Sequence, residues 1–108
     1  MFQALEVSYL VLERLVPVET RIRRKSASLA KQLADASESI SLNLGESRRR
    51  RDGDQRRHWE MAAGSASEVT TALQIAVVKQ YITAEEHASV EEMLDRVRAM
   101  LWRLVHRR

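Results

Sequence analysis

Apolar residues recur at alternating steps of three and four in three long stretches of this chain, a rhythm that commits it to a bundle of helices. Leu29, Leu33, Ala36, Ile40 and Asn43 or Leu44 mark the first stripe; Trp59, Ala62, Ala66, Val69, Leu73 and Ala76 mark the second. Val90, Leu94, Val97, Leu101 and Leu104 mark the third, widened by Met93, Met100 and Val105. Such spacing keeps one face of each helix turned towards its neighbours. One Pro and three Gly in 108 residues leave few places for strands and turns, while Ala, Leu, Glu, Arg and Gln favour helix.

The pattern predicts four helices in an antiparallel up-down four-helix bundle, an all-α single domain over residues 1–108. The first helix runs from Phe2 to Arg24 with Leu5, Tyr9, Leu12, Val16 and Ile22 on one side, and Pro17 should kink or split it. The second runs from Ser26, a plausible cap, to Glu46. The third starts after Ser47–Gly53, capped by Asp52 or Asp54, and continues to Gln80. The fourth starts at Thr83, whose spacing to Glu86 is that of a capping box. Tyr9, Trp102 and the second apolar row on helix one exceed what a small core needs, which points to self-association.

Cysteine is absent, so neither a disulfide framework nor a Cys-based zinc site is possible. Glu6, Glu13 and Arg14 interrupt the greasy Leu5–Val18 run, so it reads neither as a membrane span nor as a signal peptide, and a cytoplasmic protein is expected. Catalysis finds no footing. The residues three before His58, His87 and His106 are Gln55, Ala84 and Arg103, so the Glu-x-x-His signature of di-metal bundles is missing, and no phosphate-binding Gly loop or nucleophile elbow occurs. The expectation is a non-enzyme without cofactor or metal.

A second group of residues is polar and sits in the helical stripes. Asn43 interrupts the seam of helix two, and Gly64-Ser65 interrupts helix three. The simplest reading is that Asn43 fixes register while Gly64 lets backbones meet; a ligand pocket near Asn43 and Ser65 is the alternative.

Charge carries more information than the net value of +3 suggests. The bend Gly45–Arg57 holds Arg48, Arg49, Arg50, Arg51, Arg56 and Arg57 against Glu46, Asp52 and Asp54. The last thirteen residues add Arg96, Arg98, Arg103, Arg107 and Arg108 and no acid. In an up-down bundle that bend shares one end with both termini, so one pole is cationic. At the other, Glu85, Glu86, Glu91 and Glu92 offset Arg21, Arg23, Arg24 and Lys25. Arginine forks suit phosphate oxygens, and each phosphate neutralised releases counterions. His58, His106 and Trp102 lie near that pole and could stack on bases, although Trp59 and Trp102 read first as packing residues.

The chain resembles a bacterial four-helix-bundle family first described as proteins encoded in intervening sequences of large-subunit (23S) ribosomal RNA genes. The likeness rests on Gln32, Leu33, Ala36, Ser39, Ile40, Asn43, Leu44 and Glu46 in helix two, then Ala62, Gly64, Ser65 and Glu68 in helix three, and on Gln80-Tyr81-Ile82, where the family usually has Gly-Tyr-Ile. The family's usual Arg-Arg pair is Ala34-Asp35 here, its Phe-Pro connection is missing, and Gly45 and Ser47 stand where Ala and Gly are usual. The resemblance implies a ring-like homo-oligomer, a pentamer, and kinship with the accessory variability determinants of diversity-generating retroelements, which assist a reverse transcriptase. Together the residues and the resemblance predict an accessory factor that binds nucleic acid, structured RNA first, through Arg48–Arg51, Arg56, Arg57, Arg103, Arg107 and Arg108. A protein-interaction scaffold without nucleic acid, or a small-molecule sensor, are the alternatives.

Overall fold

A computed structural model describes residues 2–107. Its helices are α1 (Gln3–Arg23), α2 (Ala27–Ser47), α3 (Asp52–Val78) and α4 (Ala84–Val105). Each packs on two neighbours: α1 on α2 and α4, and α3 on α2 and α4. That closed square is an up-down four-helix bundle, 42 × 22 × 21 Å.

Local chemistry explains where the helices start and stop. The Ser26 hydroxyl accepts from the Leu29 amide at 3.1 Å and opens α2. Thr83 and Glu86 form the reciprocal capping box at the start of α4. The start of α3 differs from expectation: neither Asp52 nor Asp54 caps it. Arg51 occupies the cap position without a side-chain bond, and Asp52 is the first helical residue. Asp52 has φ 52°, a left-handed conformation that aspartate tolerates better than most residues and that turns the chain sharply out of the arginine bend.

The end of α3 is a Schellman turn. The Tyr81 amide bonds the Ala76 carbonyl at 2.8 Å and the Gln80 amide bonds the Val77 carbonyl at 3.0 Å, with Gln80 at φ 61°. Glycine is the usual occupant of that position because it has no Cβ to clash there. Gln80 holds it here at some conformational cost.

Leu29, Leu33, Ala36, Ile40 and Leu44 of α2 are buried, as are the predicted stripes of α3 and α4. Leu44, not Asn43, completes the α2 seam. Helix α1 reverses the expected face. Its buried row is Ala4, Leu5, Val7, Val11, Leu15, Val18 and Ile22, whereas Tyr9 and Val16 are exposed and Leu12 is half-buried. Only Leu5 and Ile22 of the anticipated row reach the core. The Val11–Leu15–Val18–Ile22 row runs to the end of the helix, which packs on α2 and α4. Pro17 does not split α1. It lies on the exposed side, so the carbonyl that loses its helical partner can face water.

Candidate nucleic-acid interface

The threading that the cationic pole requires is present. Arg56, in the first turns of α3, donates to the carbonyl oxygens of Val105 and Arg107. The Arg107 guanidinium carbon lies 5.9 Å from the centre of the Trp59 ring. The arginine bend and the carboxy-terminal tail therefore share one end of the bundle, together with the start of α1, whose Phe2, Gln3 and Ala4 line a cleft with Met100, Arg103, Leu104 and Arg107.

The arginines gathered there have different roles. Arg50 is held by Glu46 at 2.6 Å and approaches Asp54 at 3.5 Å. Arg57 pairs with Asp54 at 3.1 Å. Hydrogen bonding from Arg57, aided by the charge of Arg50, keeps the Asp54 carboxyl below its ordinary range. Arg56 is spent on the exposed carbonyls at the end of α4, a structural task of the kind cationic side chains perform at helix C-termini. Arg48, Arg49, Arg51, Arg103 and Arg107 make no ion pair among the described residues. Arg108 lies outside the described residues. Arg98 is not free: Glu91, Asp95 and Thr70 hold it between α4 and α3.

Helix direction accounts for part of this placement. α2 and α4 both end at the cationic pole, and arginines just past a helix C-terminus interact favourably with the macrodipole. That interaction explains a few cations there. Five cations at this pole have no carboxylate partner among the described residues, and Arg23, Arg24, Lys25 and Lys79 at the other end have none either. At the opposite pole Arg21 reaches Glu86 at 3.1 Å, but Glu91 turns to Arg98 and Glu92 to Arg14, at 3.5 Å. Neutralisation there is only partial.

The polar residues of α2 and α3 meet in one network. Asn43 Nδ2 donates to the Ser39 carbonyl and hydroxyl, at 3.0 and 3.1 Å. The Ser65 hydroxyl donates to the Ser39 hydroxyl at 2.8 Å, and Asn43 Oδ1 lies 3.0 Å from His58 Nδ1. Because the Asn43 oxygen can only accept, His58 donates through Nδ1. His58 is 8% exposed, so it is a packing residue and does not stack on bases; its Nε2 has no partner. Trp59 is likewise buried. Trp102 overturns its packing assignment: it is 62% exposed and stacks on His106, ring centres 4.1 Å apart.

Gly64 does not let backbones meet. It is exposed, and a Cβ there would touch nothing within 4 Å. Side-chain contact between α2 and α3 is made instead by Ser65 with Ser39 and by His58 with Asn43. Gln32 and Glu68 are exposed and, with Asp35, Ser39 and Ser65, line a shallow groove of about 270 Å³. Glu46 serves the bend by holding Arg50. Sequence reasoning misplaced His58, Trp102 and Gly64 and missed the structural task of Arg56. For His58 a signal existed, since it continues the phase of Ala62, Ser65 and Val69 at steps of four, three and four.

No group of three or more metal-ligating side chains that could hold an ion occurs among the described residues. No helix of the described residues is long and apolar enough to cross a membrane.

The fold has a solved counterpart. A protein of unknown function from the S23 ribosomal protein family of Bacteroides thetaiotaomicron superposes with a TM-score of 0.88 at 19% identity, covering 95% of this chain and 98% of that one. No curated protein matches. Over residues 4–103 the sequence fits the family described as 23S rRNA-intervening sequence protein, and the chain belongs to that family.

Proposed function

We propose that this protein is a non-enzymatic, cytoplasmic, homo-oligomeric accessory factor that binds nucleic acid, structured RNA in particular, through its cationic pole. The observation carrying this reading is that the bend and the tail converge, leaving Arg48, Arg49, Arg51, Arg103 and Arg107 together without ion pairs among the described residues. Phosphates would replace the missing carboxylates, with affinity that falls steeply as salt rises. Among the described residues no recognition helix is set apart from the bundle, so shape and charge should dominate over base sequence.

Self-association rests on apolar side chains left on opposite faces. Val16, two turns further from the cationic pole than Tyr9 and its groove, is exposed on the α1/α2 side, and Trp102 borders a cleft with Ala63, Ala66 and Ser67 on the α3/α4 side. Contact between unlike faces is head-to-tail and closes into a ring when the rotation permits. A pentamer would repeat the cationic pole around one rim. Such a ring fits assistance to a reverse transcriptase or another nucleic-acid enzyme.

The test is a gel shift on RNA and DNA across a salt series, with Arg48–Arg51 changed to Glu. Affinity at low salt that collapses in the variant supports the reading; no affinity at low salt, or an unchanged variant, removes it. The exposed Trp102 also favours a second reading, a docking scaffold without nucleic acid. Partners that persist in a pull-down after nuclease treatment would favour it.

A further inference from the structure

Beside the cationic pole, between α1 and α2, lies a groove of about 700 Å³, within the range of small-ligand sites. Tyr9 forms its α1 wall, Leu42 and Gly45 its α2 side, and Arg48 and Arg49 close it at the pole. Tyr9 is 52% exposed and Leu42 72% exposed, so both present apolar surface to the groove. Gly45 is not required by packing, because a Cβ there would meet nothing within 4 Å. The cations at the mouth are unspent. Arg48 and Arg49 make no ion pair among the described residues, and the neighbouring Glu46 is already held by Arg50 through Oε1.

We infer that this groove seats an unpaired nucleotide, its base against Tyr9 and Leu42 and its phosphates on Arg48 and Arg49. An aromatic face with two unpaired guanidiniums next to it matches the two surfaces of a single-stranded nucleotide, a flat π system and an anionic backbone. A paired duplex offers the anions but buries the base faces in its own stack, so only the arginines would engage it. The free Oε2 of Glu46 is an acceptor for a base amino group. This inference rests on the nucleic-acid reading above and adds to it a preference: loops and single strands over blunt duplex.

The experiment compares two RNAs of equal charge, a hairpin with a large unpaired loop and a blunt duplex, binding to the full chain at constant salt. Wild type should favour the hairpin. Tyr9→Ala should lower hairpin affinity about tenfold or more while leaving the duplex unchanged, as expected for loss of one stacking platform. Tyr9→Phe should behave as wild type. Arg48→Glu with Arg49→Glu should weaken both RNAs. Because Tyr9 is exposed, the variants should melt as wild type does, and mass in solution is measured alongside. Hairpin binding by Tyr9→Ala equal to wild type overturns the inference while leaving the nucleic-acid reading intact. Equal loss on both RNAs together with a changed mass also overturns it, and makes this face a contact between copies. Absence of any RNA binding by wild type overturns both.

Discussion

The Arg56 guanidinium lies 2.5 Å from the Val105 carbonyl oxygen, 49 residues further along the chain, and joins the start of α3 to the end of α4. A helix end leaves its last carbonyls without partners, and here a cation from a neighbouring helix satisfies one of them and the Arg107 carbonyl as well. The bonds tie the tail that carries Arg107 to the start of α3.

Replacing Arg56 with Ala should release the tail. The expected cost is about 1 kcal/mol, at the low end for bonds to a charged group because the site is exposed. Hydrogen exchange at the last amides of α4 should accelerate, and Trp59 fluorescence should shift as Arg107 leaves its ring. Arg56→Lys should restore little, since one ammonium cannot reproduce the fork that spans two carbonyls.

Asn43→Ala should destabilise the fold by about 1–3 kcal/mol in urea unfolding, because it strands the Nδ1 proton of the buried His58. A double-mutant cycle with His58 should show strong coupling. Additive losses would mean that the two side chains do not bond.

Gln80→Gly should stabilise the protein by roughly 0.5–1 kcal/mol. The left-handed conformation costs an L residue about 1–2 kcal/mol, part of which glycine returns through its greater freedom when unfolded. The melting temperature checks it.

The capping box at α4 gives a pH dependence with a definite sign. The Thr83 backbone amide donates to Glu86 and, with the Arg21 charge, holds the Glu86 carboxyl below its ordinary value of 4.5. A depressed folded-state value means stability that is complete above the unfolded-state value and lost as pH falls through the folded one. Glu86→Gln should therefore cost stability at pH 7 and lose that penalty in acid below the usual carboxylate range. Thr83→Ala, which removes the cap acceptor itself, should cost about 1 kcal/mol.

Helices α2, α3 and α4 were legible in the sequence because each carries one apolar row at bundle spacing. Helix α1 carries two. The expected row Leu5–Tyr9–Leu12–Val16 with Ile22 and the buried row Val7–Val11–Leu15–Val18–Ile22 both fit a helix face. Spacing was the available clue, since only the second row reaches Ile22 by unbroken steps of three and four, whereas Val16 to Ile22 is a step of six. At the pole the arginine cluster was legible as composition, but the division of labour within it was not. That Arg56 serves α4, and that Glu46 and Asp54 absorb Arg50 and Arg57, depends on contacts across helices and around the bend. The Asn43–His58 bond joins positions 15 apart, across a turn whose geometry depends on the unexpected conformation of Asp52.

Binding of a labelled RNA hairpin, followed by fluorescence anisotropy over a range of salt concentrations, puts the cationic pole to the test. Wild type should bind tightly at low salt, with the logarithm of affinity falling linearly against that of salt. Charge reversal at Arg48, Arg49 and Arg103 should flatten that line. A wild-type protein that ignores RNA at low salt, or a slope untouched by the reversal, would contradict a polyanion surface at this end of the bundle.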